Sequence, residues 1–130
     1  MNIALVAHDK KKELMVEFCI AYRSILQQHS LFSTDTTGSF IMEGADLHVY
    51  KFSSGYLGGV QQIGTRVSLD EMDLVIFLTD PSIPGEYDAD LMALLRLCDA
   101  NIIPFATNIA TAEMLIKGLE RGDLSWRENK

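Results

Sequence analysis

Residues 72–79, MDLVIFLT, hold an unbroken apolar run from Leu74 to Leu78 without polar alternation, the pattern of a strand buried on both faces. A strand of that kind sits inside a parallel sheet, and parallel neighbours need crossover connections, usually helices. The remaining chain supplies them in alternation. Ile3–Ala7 is a second continuous apolar run, followed by Leu14, Met15, Phe18, Cys19, Tyr22, Ile25 and Leu26 at helical spacing. Leu31–Ser33 predicts a short strand, and the turn Thr34-Asp35-Thr36-Thr37-Gly38 feeds a helix that carries Phe40, Ile41 and Met42 and stops at Gly44-Ala45-Asp46. Leu47–Phe52 predicts the next strand and Gln61–Val67 the next helix. After the central run, Asp88 and Asp90 open a helix with Leu91, Leu94, Leu95 and Cys98 on its buried face, and Asn101 marks its end. Ile102–Phe105 predicts a fifth strand, Asn108 or Thr111 caps the last helix, and Gly122 ends it. The expectation is one α/β domain over residues 1–130: a three-layer, Rossmann-like fold whose five-stranded, mainly parallel sheet has helices on both faces, with 121–130 as a polar tail.

Composition narrows the function classes. A net charge of −7 argues against a nucleic-acid surface, which needs clustered cations to neutralise phosphates. No apolar run approaches the roughly 20 residues of a membrane helix, and the opening residues show no signal-peptide pattern. Cys19 and Cys98, the two cysteines, both fall in apolar helical patterns and read as buried, reduced thiols. The expectation is a cytoplasmic protein without membrane association. His8, His29 and His48 show no metal-ligand spacing with each other or with the cysteines, so no metal site is expected.

Parallel α/β sheets bind ligands beyond the carboxyl ends of their strands, and the polar residues gather there. His8, Asp9 and Lys12 follow the first strand; Thr34, Thr36 and Thr37 follow the second; Ser54 and Gly55 follow the third; Asp80 follows the fourth and Thr107-Asn108 the fifth. The third strand runs into SSGYLGGVQQIG, residues 53–64, where glycines allow positive φ or close backbone approach to a ligand. Hydroxyls and amides at a helix N-terminus suit an anion such as phosphate. A structural reading stands beside each of these: Thr36 and Thr37 as helix caps, Asp80 as a turn former before Pro81, Asp88 or Asp90 as helix openers.

Taken together, ALVAHD at 4–9 with Lys12, T-x-TTG at 34–38, SG-x-x-GG-x-QQ-x-G at 54–64, IF-x-x-DP at 76–81, D-x-D-x-x-ALLRL at 88–97 and ATN-x-ATA at 106–112 resemble the methylglyoxal synthase family. The six motifs come in order and span nearly the whole chain. The resemblance implies a lyase that converts dihydroxyacetone phosphate to methylglyoxal and inorganic phosphate without a cofactor, in a homo-oligomer that is typically a hexamer. It also implies phosphate-binding roles for His8, Lys12, Thr34, Thr36, Thr37, Ser54 and Gly55.

Two departures bear on activity. The family's glycine-rich turn continues GG-D-QQ, with the aspartate as catalytic base, and here that residue is Val60; a family histidine just before D-x-D is here Tyr87. Asp9, Asp80 and Asp90 are the surviving carboxylates at family positions and the candidates for a relocated base. The expected result is a preserved pocket for a small phosphorylated metabolite or inorganic phosphate, with impaired lyase turnover. The alternative is a non-catalytic module that senses such a metabolite, as in the related regulatory domain of carbamoyl phosphate synthetase.

Overall fold

Residues 1–83, 85 and 88–129 are described in the computed structural model. Its strands are β1 (Asn2–Ala7), β2 (Ser30–Ser33), β3 (Tyr50–Lys51), β4 (Leu74–Leu78) and β5 (Phe105–Ala106). The helices are α1 (Lys12–Ala21), α2 (Arg23–Leu26), α3 (Asp35–Ala45), α4 (Gly59–Ser68), α5 (Asp88–Ala100) and α6 (Ile109–Arg121), and 3-10 turns occupy Asp9–Lys11, Gly55–Leu57 and Ser125–Asn129. The sheet order is β3-β2-β1-β4-β5, and every pairing is parallel. The sheet is thus wholly, not mainly, parallel.

Strand alternation divides the core in two. Ile3, Leu5 and Ala7 of β1 and Leu74, Ile76 and Leu78 of β4 face one layer with Met15, Phe18, Ile41 and Ile116 from α1, α3 and α6. Ala4, Val6, Val75 and Phe77 face the other, against Val60, Ile63, Val67 and Leu94 from α4 and α5. Each core holds one free cysteine, Cys19 in the first and Cys98 in the second. Burial pushes both thiols up to about 12, because a thiolate is poorly solvated there. Among the described residues no helix is long and apolar enough to cross a membrane.

Several element boundaries differ from the sequence expectation. The helix expected to run through Leu26 breaks at Tyr22, whose hydroxyl donates to Glu113 on α6 at 2.9 Å. The strand expected at 47–52 pairs only through Tyr50 and Lys51, because it is an edge strand with β2 as its sole neighbour. The strand expected at 102–105 begins at Phe105. Ile102 has φ +56, a conformation foreign to a strand and costly for a β-branched side chain. It is there because it ends α5: Ile102 N donates to Asp99 O and Ile103 N to Cys98 O, the pair of bonds that usually forms around a glycine or asparagine. At the end of α6 the same arrangement has Gly122, at φ +85, in that position. Asn101, expected to mark the end of α5, directly follows its last residue, Ala100, and donates from its side chain to Leu97 O at 2.8 Å.

The polar tail is docked rather than loose. Arg127 is only 4% exposed and donates to Asp73 Oδ1 (3.1 Å), Ile102 O (2.6 Å), Met72 O (3.3 Å) and Asp70 Oδ1 (3.4 Å). This cross-tie joins the segments that enter β4 and β5, at the sheet edge opposite the glycine-rich turn.

Candidate functional site at the sheet's carboxyl edge

β1 connects to β2 on one side and lies against β4 on the other, which makes the β1–β4 junction the topological switch point where a crevice opens. His8 and Asp80 close its floor. His8 N donates to Leu78 O at 3.0 Å, and Asp80 N donates to His8 Nδ1 at 2.8 Å. A backbone amide can only donate, so Nδ1 is the acceptor and the neutral ring carries its proton on Nε2.

The 3-10 turn at Asp9–Lys11 brings Lys12 back over the end of β1. Lys12 is 7% exposed and its Nζ donates to Ala7 O and Asp9 Oδ1, both at 2.9 Å. An ammonium has three N–H groups, so one remains available among the described residues. The Lys12 hydrogen bond and charge hold the Asp9 carboxyl below the usual carboxylate range.

The turn expected at Thr34–Gly38 is already the first turn of α3. Thr34, rather than Thr36 or Thr37, is the N-cap, and its side chain makes no capping bond. The first-turn amides of a helix lack intrahelical acceptors, and here no capping side chain covers them. Asp35 N is tied to Ser53 O at 3.3 Å, while Thr37 Oγ1 reaches Ala7 O at 3.4 Å and links α3 to the end of β1.

The glycine-rich turn is shaped by that crowding. Gly58 has φ +98, and a Cβ on Gly59 would lie 2.0 Å from Ser53 O and 2.9 Å from Thr34 Cγ2. Only glycine lets α4 start this close to the segment that passes α3. Gln62 secures it by accepting from Ser53 N at 2.8 Å. The Ser54 hydroxyl is buried without a hydrogen-bond partner among the described residues.

These elements enclose a cavity of about 60 Å³. His8, Asp9, Lys12, Thr34, Thr36, Ser54 and Gly55 all line it. Thr37 does not; it braces the wall from beneath. Asp80 is likewise outside the lining: its Oδ1 accepts from Ser82 N (2.9 Å) and Oγ (2.7 Å), which lowers its affinity for a proton, while its buried Oδ2 has no partner among the described residues. Asp90, on α5, accepts from Gln61 Nε2 at 2.7 Å and lines a separate groove between α4 and α5. Tyr87 lies outside the described residues. Val60 is part of the cavity wall and 4% exposed.

Sequence reasoning missed three wall residues, Ala7 at the end of β1 and the pair Val6 and Phe77. Val6 and Phe77 are the last members of their strands to face the α4/α5 layer, and pairing the ends of the two central strands in register would have found them. Among the described residues no cluster of histidines, cysteines and carboxylates could hold a metal ion.

A family model described as an MGS-like domain matches residues 14–107. Methylglyoxal synthase from Caldicellulosiruptor saccharolyticus is 60% identical over 128 residues, covering 98% of this chain and 91% of that protein. Methylglyoxal synthase from Listeria welshimeri is 57% identical, with 98% and 96% covered. Among solved structures, methylglyoxal synthase from Elizabethkingia anophelis NUHP1 superposes with a TM-score of 0.83 at 39% identity, covering 88% of this chain and 76% of that one.

Proposed function

This chain belongs to the methylglyoxal synthase family, and from that premise we propose that it holds the phosphate of a small metabolite of the dihydroxyacetone phosphate class while turning it over poorly or not at all. The observation that carries the reading is the make-up of one cavity: groups that can donate hydrogen bonds to an anion line it together, and the wall position where the family's base is expected is Val60. The spare N–H of Lys12, the hydroxyls of Thr34, Thr36 and Ser54, and the uncapped amides of α3 are suited to three anionic oxygens. His8, with its proton on Nε2, is of the type that can donate to a carbonyl oxygen as it gains enediolate charge.

The missing step is removal of the C3 proton. Val60 cannot accept it, and losing a positioned general base costs about 10²–10⁴-fold in rate. The surviving carboxylates are poor replacements. Asp9 is made a weaker base by Lys12, Asp80 by Ser82, and Asp90 is engaged by Gln61 in another groove. Family assembly as a homo-oligomeric hexamer, a cytoplasmic location and independence of cofactors belong to the same proposal.

Calorimetry with inorganic phosphate and dihydroxyacetone phosphate, beside an assay for methylglyoxal and released phosphate, tests it. Both ligands are expected to bind, with no product above the uncatalysed rate, and the double variant Val60→Asp, Tyr87→His is expected to gain turnover. Turnover by the unaltered protein within about tenfold of that variant would overturn the impaired-enzyme reading. A second reading, a module that senses a phosphometabolite, is favoured by the weakened basicity of both Asp9 and Asp80 beside an intact anion grip. Thermal shifts with phosphate, triose phosphates and nucleotides test it, and a flat response to all of them removes it.

A further inference from the structure

The cavity sets donors from α1 and α3 beside three apolar side chains of the α4/α5 core, and that pairing carries information about the carbon end of the ligand. Lys12 and Thr36 belong to α1 and α3, which pack on one face. Val6, Phe77 and Val60 belong to the core on the other face. A ligand whose phosphate sits on the first set therefore places its first carbons against the second, whose side chains offer neither a hydrogen bond nor a charge.

Resting on the phosphate-site reading above, we propose that the site prefers phosphate monoesters with a short apolar carbon end over triose phosphates, and that Val60 sets this preference. A cavity of about 60 Å³, at roughly 10–15 Å³ for each seated water-sized group, takes a phosphate and its first one or two carbons. Every hydroxyl or carbonyl carried on those carbons loses water when it enters, and only a partner in the wall restores the lost bond. Val6, Phe77 and Val60 supply no such partner. A carboxylate at position 60 would accept from a hydroxyl on those first carbons, whereas valine leaves such a hydroxyl desolvated and rewards a methyl or methylene group with contact. The same substitution that removes a base thus changes which ligand is bound, as two consequences of one side chain.

The test is calorimetry on the full chain with four probes: inorganic phosphate, propyl phosphate, glycerol 3-phosphate and dihydroxyacetone phosphate. The expected result is that propyl phosphate binds about tenfold more tightly than either oxygenated three-carbon ester. Val60→Thr, which adds a hydroxyl in the same volume, should narrow that ratio at least about threefold, and Val60→Asp should reverse it. If inorganic phosphate binds but propyl phosphate gains nothing over glycerol 3-phosphate, the proposal fails and the phosphate site stands. If none of the four binds, including inorganic phosphate, both fail. The comparison of esters is made on the unaltered protein, so it decides the question even if a variant does not fold.

Discussion

Two buried cations sit at opposite edges of the sheet and are treated in opposite ways. Arg127 is satisfied by the protein: two backbone carbonyls, the carboxylates of Asp70 and Asp73, and the Trp126 ring 5.4 Å from its guanidinium carbon. Lys12 is equally buried but among the described residues has only Ala7 O and Asp9 as partners, beside an open cavity. A guanidinium forks rigidly to several fixed acceptors, which suits a cross-tie; an ammonium is a point charge with rotatable donors, which suits an anion that comes and goes. The first edge has its polar bonding closed within the chain. The second leaves donors for something else, Lys12 and Ser54 among them.

The contrast can be broken by exchanging the consequences. Arg127→Ala is expected to cost about 2–4 kcal/mol, less than a fully buried pair because Asp70 and Asp73 keep contact with water. Urea unfolding should show that loss while phosphate affinity in the folded protein stays unchanged, and an affinity loss of tenfold would sink the division of labour. Lys12→Met should do the converse. Removing a charged hydrogen bond worth about 1.5–3 kcal/mol weakens phosphate binding roughly 10–100-fold, with unfolding stability altered by less than about 1 kcal/mol because the apolar stem is retained. A larger stability loss would mean that Lys12 is structural after all.

Ile102 sharpens the same comparison at the Arg127 edge. It is 70% exposed and left-handed, so it has little burial to lose, and Ile102→Asn should raise stability by about 0.5–1 kcal/mol while its carbonyl continues to accept from Arg127. Denaturation midpoints compared with the unaltered protein check this, and a decrease would show that the side chain is used. The smallest effect concerns Asp9. Its carboxyl is lowered from 3.8 by Lys12, so the contact contributes stability that is fully present above that value and lost as pH falls through the lowered one. Subtracting the stability of Asp9→Asn across about pH 5 to about pH 2 should reveal a difference that shrinks toward acid. A difference that grows instead would reverse the sign of the interaction.

The central strands were legible because continuous apolar runs at 3–7 and 74–78 have no alternative once helices alternate with them. The edge of the sheet was less so. Tyr50–Lys51 and Phe105–Ala106 are short because pairing with a single neighbour fixes their ends, and no local propensity encodes that. Ile102 misled in a specific way: a β-branched residue before Ile103 reads as a strand, yet tertiary bonding makes it a helix terminus. At the site, the strand-end rule gathered His8, Asp9, Lys12, Thr34, Thr36, Ser54 and Gly55 without geometry. It could not separate them from Thr37, Asp80 or the Thr107-Asn108 pair, because residues that follow a strand can face the cavity, the floor or a neighbouring groove. Arg127 was invisible for the plainest reason: its partners lie 25–57 positions away.

The two buried thiols have a practical consequence. With Cys19 and Cys98 in separate cores and both raised to about 12, the native chain should stay dark to maleimide dyes at neutral pH. A single cysteine introduced at Leu57, exposed in the 3-10 turn that begins with Gly55, would then be the only reactive handle. A fluorophore there would sit one turn from the anion grip and report occupancy as a change in light, with the protein's own sulfurs silent.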